Sequence, residues 1–199
     1  MNHGMGTHQR EEIGTDPPLH AQAQMLRVRV EAELGKPAVV LVTSAREGDG
    51  KSLTAYSLAA ALVQCGHRVA LVSRSSPEYR ELPVVEMPND LGSARDRLAP
   101  FVASMREAHD FTVIDADTFS KSAALTLANL VDGILIAVRI GRAPTGDDEA
   151  IVGMLEQVGG RVIGVVATEA SAIADFEGLR RKPAPAQPSR APSKILYEH

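Results

Sequence analysis

Five residues of this chain could act together on a phosphate: Gly48, Gly50, Lys51, Ser52 and, far downstream, Asp115. Four of them fall in one short stretch, Ser44-Ala-Arg-Glu-Gly-Asp-Gly-Lys-Ser. Glycine tolerates positive φ and close approach of a ligand, so the backbone amides of such a turn can converge on an anion. A helix starting at Lys51 would add the positive end of its dipole. Lys51 then supplies a mobile cation for the β- and γ-phosphates, and the Ser52 hydroxyl a ligand for Mg²⁺. The expected contact set is Glu47, Gly48, Asp49, Gly50, Lys51, Ser52 and Leu53. Asp115 closes the run Phe-Thr-Val-Ile-Asp, where a carboxylate can hold Mg²⁺, usually through water. Lys51 and Asp115 are thus the candidate catalytic pair, and Ser52 and Asp115 the candidate metal ligands.

The usual phosphate-loop pattern is G-x-x-x-x-G-K-[ST], and its first glycine would fall on Ala45. A turn that merely contains Gly-Lys-Ser would look the same in isolation. The flanks decide, because this chemistry needs a strand before the turn and a helix after it. Val39 to Val42 is an apolar, β-branched run. Beyond the turn, Ala55, Tyr56, Ala59, Leu62 and Val63 recur at three- and four-residue steps, and Gly66 can close that helix as a left-handed cap.

The remaining elements alternate in the same way. Expected strands are Arg68 to Val72, a short one at Val84-Val85, Phe111 to Ala116, Gly133 to Val138 and Arg161 to Ala167. Their near-continuous apolar character fits strands buried on both faces of a parallel sheet. Helices are expected around Leu98 to Met105, Ser122 to Leu130 and Asp147 to Gln157, with an amphipathic helix from about Ala21 to Leu34 ahead of the first strand. Gly35 and Pro37 end that first helix. The pattern predicts a doubly wound, mostly parallel α/β sheet with its ligand at the carboxyl ends of the strands.

A chain of 199 residues with 44% hydrophobic content suits one core. The expected organisation is a disordered lead over 1–19, a nucleotide-binding domain over 20–179 and a basic, Pro-rich tail over 180–199. His3, His8 and His20 read as solvated lead residues, not metal ligands. A formal charge of −4 argues against a nucleic-acid footprint over the whole surface. One cysteine, Cys65, excludes a disulfide framework, and it is expected to pack on a helix face. Without an apolar run of roughly 18–20 residues or a signal-peptide core, the chain is expected in the cytoplasm. The basic tail from Arg180 could dock weakly on an acidic membrane surface.

The order of that loop, Gly66-His-Arg-Val-Ala-Leu-Val, His109-Asp-Phe-Thr-Val-Ile-Asp and Leu130-Val-Asp-Gly-Ile-Leu-Ile-Ala-Val-Arg resembles the cytoplasmic domain of bacterial tyrosine kinases. Those proteins control capsular and exopolysaccharide assembly and are relatives of the cell-division and plasmid-partition ATPases. The resemblance covers roughly residues 21–168 and implies ATP and Mg²⁺ as cofactors. It also implies a membrane-embedded polysaccharide chain-length regulator as partner, at the inner face of the plasma membrane. In that family the first loop glycine is commonly absent and an acid often precedes the second, as with Ala45 and Asp49.

Several positions depart from the family. Its second strand ends in Asp-x-Asp, which helps hold Mg²⁺ and activates the tyrosine hydroxyl; the matching residues here are Ser73 and Ser75. A serine hydroxyl is no general base near neutral pH without help. Its ring-assembly motif Glu-x-x-Arg-x-x-Arg corresponds to Ala21, Gln24 and Arg27, of which the last is retained. The C-terminal tyrosine cluster is reduced to Tyr197, while Tyr56 and Tyr79 lie inside the domain. The segment after the second strand is shorter. Ala116-Asp117-Thr118 replaces Thr-Pro-Pro, and the base-reading Asn is matched by Thr168 or Glu169.

Three functions follow in order of expectation. The first is an ATP-binding regulator of polysaccharide production whose kinase activity is weak or absent. The second is an active tyrosine autokinase in which Asp117, Asp49 or Glu47 replaces the lost acids and Tyr197 accepts phosphate. The third is a positioning ATPase, whose signature loop lysine is matched here by Arg46.

Overall fold

A computed structural model describes residues 17–73, 82–86, 95–116, 121–143 and 145–173. The expected tail, together with Ser75, Tyr79, Asp117 and Tyr197, lies outside the described residues, as do His3 and His8. The elements run α1 (Pro17–Leu34), β1 (Ala38–Thr43), α2 (Lys51–Gln64), β2 (Val69–Ser73), β3 (Val84–Glu86), α3 (Arg95–Ala108), β4 (Phe111–Asp115), α4 (Lys121–Ala128), β5 (Gly133–Arg139), α5 (Gly146–Gln157) and β6 (Val162–Thr168). The six strands form one sheet in the order β3-β2-β4-β1-β5-β6. Every pairing is parallel.

Every residue of β1, β2 and β4 is buried, which explains why each reads as a continuous apolar run. Alternate side chains serve the two faces. Val40 and Val42 meet Leu58 and Leu62 of α2 and Val30 of α1 on one side. Val39 and Leu41 meet Leu98 and Val102 of α3, Leu127 of α4 and Leu155 of α5 on the other. Helices therefore cover both faces. A buried leucine contributes about 1.5–3 kcal/mol, so Leu58 and Leu62 anchor α2 more firmly than any single polar contact of the turn before it. The site is positioned by this packed frame.

β4 lies between β1 and β2, so the chain passes from β1 through α2 over one strand before joining the sheet again. That places the carboxyl ends of β1 and β4 side by side, with Val42 opposite Asp115. β5 flanks β1 on its other edge, with Thr43 opposite Ile136. The order thus reverses at β1, and open α/β sheets bind their ligands outside the carboxyl ends of the strands at such a point.

Two expectations change in detail. The first helix begins at Pro17, ahead of Ala21, and its buried stripe is Ala23 and Val30 with Leu26 and Leu34. Met25 and Val28 point outward, because they fall on the opposite side of a helix laid against α2. Cys65 is exposed and not packed on a helix face. It stands at the C-cap of α2, past the last turn that touches the sheet, immediately before Gly66 at φ 84°.

Candidate functional site

The turn between β1 and α2 takes its shape from two glycines. Gly48 and Gly50 have φ of 75° and 85°, which β-carbon-bearing residues adopt at a cost. Gly50 is also the N-cap of α2. A β-carbon there would come within 2.9 Å of the Thr168 side chain, so position 50 requires glycine on steric as well as dihedral grounds. Thr168, buried at the end of β6, donates its hydroxyl to the Asp49 carbonyl at 2.8 Å and to the Val138 carbonyl at 3.4 Å. It is one of the two residues, with Glu169, expected at the family's base-reading position, and its hydroxyl braces the turn. Glu169 beside it is exposed.

Lys51 opens α2 and is buried. Its ammonium donates to Ser44 Oγ at 3.2 Å and to the Arg46 carbonyl at 3.4 Å, and the Ser44 hydroxyl donates to that same carbonyl at 2.6 Å. The lysine thus folds back over the turn, across the place where an anion would sit against the start of α2. Ser52 is half-buried at the second position of the helix. Leu53 packs with Ile173 and Tyr56, so its contribution to a phosphate would be its backbone amide. Glu47 and Gly48 are exposed, and Asp49 is 2% exposed. The expected contact set therefore lies along one turn and the first residues of one helix.

Asp115 is buried at the end of β4 beside the end of β1. A carboxylate and a hydroxyl are hard oxygen donors and suit Mg²⁺, which keeps several waters and takes one or two carboxylates plus substrate phosphates. Among the described residues no cluster of three or more His, Cys, Asp or Glu side chains could hold a metal alone. Ser73, at the end of β2, is buried and paired with Glu86 of β3 in register.

Two ion pairs that sequence reading missed join this turn to the segment after β5. The Arg142 guanidinium donates to Asp49 Oδ1 at 3.1 Å. In the opposite sense, Arg46 of the turn pairs with Asp148 of α5 and donates to the Ala143 carbonyl at 3.3 Å. Asp148 also accepts from the Thr145 amide at 2.8 Å in the capping box of α5. These backbone and guanidinium hydrogen bonds hold its carboxyl below the usual range. The partners are 93 and 102 positions apart in sequence. Recognising that β5 lies next to β1 was the signal that could have paired them.

At the ring-motif positions, Gln24 donates to Gln64 of α2 at 2.9 Å, and Arg27 donates to Gln24 at 2.9 Å and pairs with Glu31. Arg27 is thus engaged within its own helix, and Ala21 is exposed.

Known structures share this architecture. The kinase domain of VpsO superposes with a TM-score of 0.59 at 21% identity, over 75% of this chain and 94% of that one. The kinase domain of the Escherichia coli tyrosine kinase ETK gives 0.60 at 15% identity, over 94% and 89%. The fold is that of the bacterial tyrosine kinase domains. It extends to other phosphate-loop proteins: cobyrinic acid a,c-diamide synthase from Mycobacterium smegmatis, with bound ADP and magnesium, gives 0.52 at 14% identity, over 76% and 85%. No family model and no curated protein sequence matches the chain. No described helix is long and apolar enough to cross a membrane.

Proposed function

We propose that this chain is an ATP-binding regulator of capsular or exopolysaccharide biosynthesis, built on a tyrosine-kinase frame and weak or inactive in phosphoryl transfer. The observation that carries the reading is the turn itself. Two positive-φ glycines, a lysine folded over them and a carboxylate on the neighbouring strand end are the parts a Mg²⁺-bound triphosphate needs. Amides from Glu47 to Leu53 would hold the phosphates, Lys51 would reach the β- and γ-phosphates, and Ser52 and Asp115 would take Mg²⁺. Magnesium there would neutralise phosphate charge.

The second-strand acids are what phosphoryl transfer lacks. Ser73 occupies the first of those positions as a buried hydroxyl, and a hydroxyl of ordinary acidity carries no charge to offset Mg²⁺ and does not take a proton from tyrosine. Nucleotide occupancy would then act as a signal to a membrane-embedded chain-length regulator, with the chain recruited to the inner membrane face through that partner. A positioning ATPase fits less well, since Arg46 at the signature-lysine position is committed to Asp148 and Ala143 of its own chain.

Isothermal titration of the full chain with ATP and Mg²⁺ tests the reading, with Lys51→Ala as control. Removing one charge-assisted phosphate contact costs about 1.5–3 kcal/mol, or about ten- to a hundred-fold in affinity. Binding that Lys51→Ala weakens by that factor supports the site. Equal affinities, or heat from neither protein, overturn it. The retained set of Lys51, Ser52 and Asp115 keeps an active autokinase as the second reading, with Tyr197 as acceptor.

A further inference from the structure

We propose that Arg142, on the segment between β5 and α5, is a positioning residue of the phosphate site that acts by neutralising Asp49. This inference rests on the nucleotide-binding reading of the same turn. Asp49 presents a paradox there: a carboxylate between the two cradle glycines is set against an incoming polyanion. It is also 2% exposed, so water does little to screen it. Its backbone is fixed, because the carbonyl accepts the Thr168 hydroxyl and the next residue, Gly50, is wedged against the Thr168 side chain. The backbone that carries the carboxylate is therefore held in place, and the side chain is buried at 2% exposure.

Arg142 resolves the paradox. Among the described residues its guanidinium is the ion-pair partner of Asp49, at 3.1 Å, and its other terminal nitrogen lies 4.0 Å from where a β-carbon on Gly48 would stand. The cation thus covers the carboxylate from the side of the exposed turn. Its side chain is 32% exposed, so it stands at the boundary between the buried acid and solvent. Removing it leaves a buried charge uncompensated beside the phosphates, which is far worse than removing both members of the pair. The second bridge, Arg46 to Asp148, fixes the same segment to the turn from the other end and keeps Arg142 in reach.

Nucleotide titration of four full-length proteins separates charge from shape: wild type, Arg142→Ala, Arg142→Lys and the double variant Asp49→Asn/Arg142→Ala. Arg142→Ala should weaken Mg²⁺-ATP about tenfold or more and AMP much less, because the penalty grows with ligand charge. Arg142→Lys should keep most of the affinity. The double variant should return to within about threefold of wild type, since the isosteric amide removes the charge without reshaping the turn. A merely structural arginine would also be rescued by neutralising its partner, but its loss would weaken ATP and AMP alike, so the dependence on ligand charge separates the two roles. A double variant as weak as Arg142→Ala overturns the inference in favour of direct phosphate contact. An Arg142→Ala protein as tight as wild type overturns it outright, while the nucleotide site stands. A wild type that binds neither ATP nor inorganic triphosphate fails at the earlier step and overturns both.

Discussion

The carboxyl ends of β1 and β2 lie on the same rim of the sheet, with β4 between them, yet they are equipped very differently. β1 leads into two positive-φ glycines, Lys51 and Ser52, with Asp115 one strand away. β2 ends in Ser73, a buried hydroxyl beside a three-residue edge strand. In the family this chain resembles, the first rim position grips the triphosphate and the second helps to use it. Under the proposed function, the difference teaches that gripping and using would be separable: the shape of the turn is set by backbone and core, and the residue at the end of β2 is not.

Substitutions at the two strand ends should break this symmetry in a graded way. The largest effect is expected from Gly50→Ala, which forces a β-carbon into Thr168 at φ 85°. Chemical denaturation should show a loss of about 1–3 kcal/mol, and ATP binding should fall with it. Thr168→Ala removes the brace while sparing the dihedral, so about 1 kcal/mol is expected from the same measurement. At the other strand end, Ser73→Ala should leave the ATP affinity within about threefold of wild type, read by titration calorimetry. A large loss there would mean that β2 still takes part in gripping.

The smallest effect concerns acid. Asp148, near the turn, is held below its ordinary value of 3.8 by the Thr145 amide and then by Arg46. Asp110, at the amino-terminal rim, is lowered in the same direction by the Arg68 amide and side chain. Both folded-state pKa values are depressed, so each contribution is complete above the unfolded value and is lost as pH falls through the folded one. Stability should therefore be flat with respect to these groups near neutrality and decline below about pH 4. Asp148→Asn should shrink that decline and lower neutral-pH stability by the same small amount, because what acid removes is what the charged carboxylate contributes near neutrality.

Much of the sheet was legible because β1, β2 and β4 are buried on both faces, and burial of that kind writes itself as unbroken runs of valine, leucine and isoleucine. The turn was legible because its glycines, lysine and serine lie close together in one short stretch, Gly48 to Ser52. β6 was legible to within one residue at each end, although it is an edge strand with Val165 61% exposed. The helix before β1 mixes apolar and charged residues so evenly that the pattern does not by itself separate the exposed Met25 and Val28 from the buried Val30. The bridges from Arg142 and Arg46 depend on strand order, which no local pattern encodes. The brace that Thr168 puts on the turn was not legible either, because it too joins residues far apart in sequence.

The central proposal is that the chain holds Mg²⁺-ATP and passes its phosphate to tyrosine weakly or not at all. Mass spectrometry of the full chain saturated with Mg²⁺-ATP, beside Lys51→Met treated in the same way, tests this directly. The account predicts bound nucleotide with Tyr56, Tyr79 and Tyr197 unmodified in both proteins. Phosphate on Tyr197 of the wild type that disappears in Lys51→Met would contradict it.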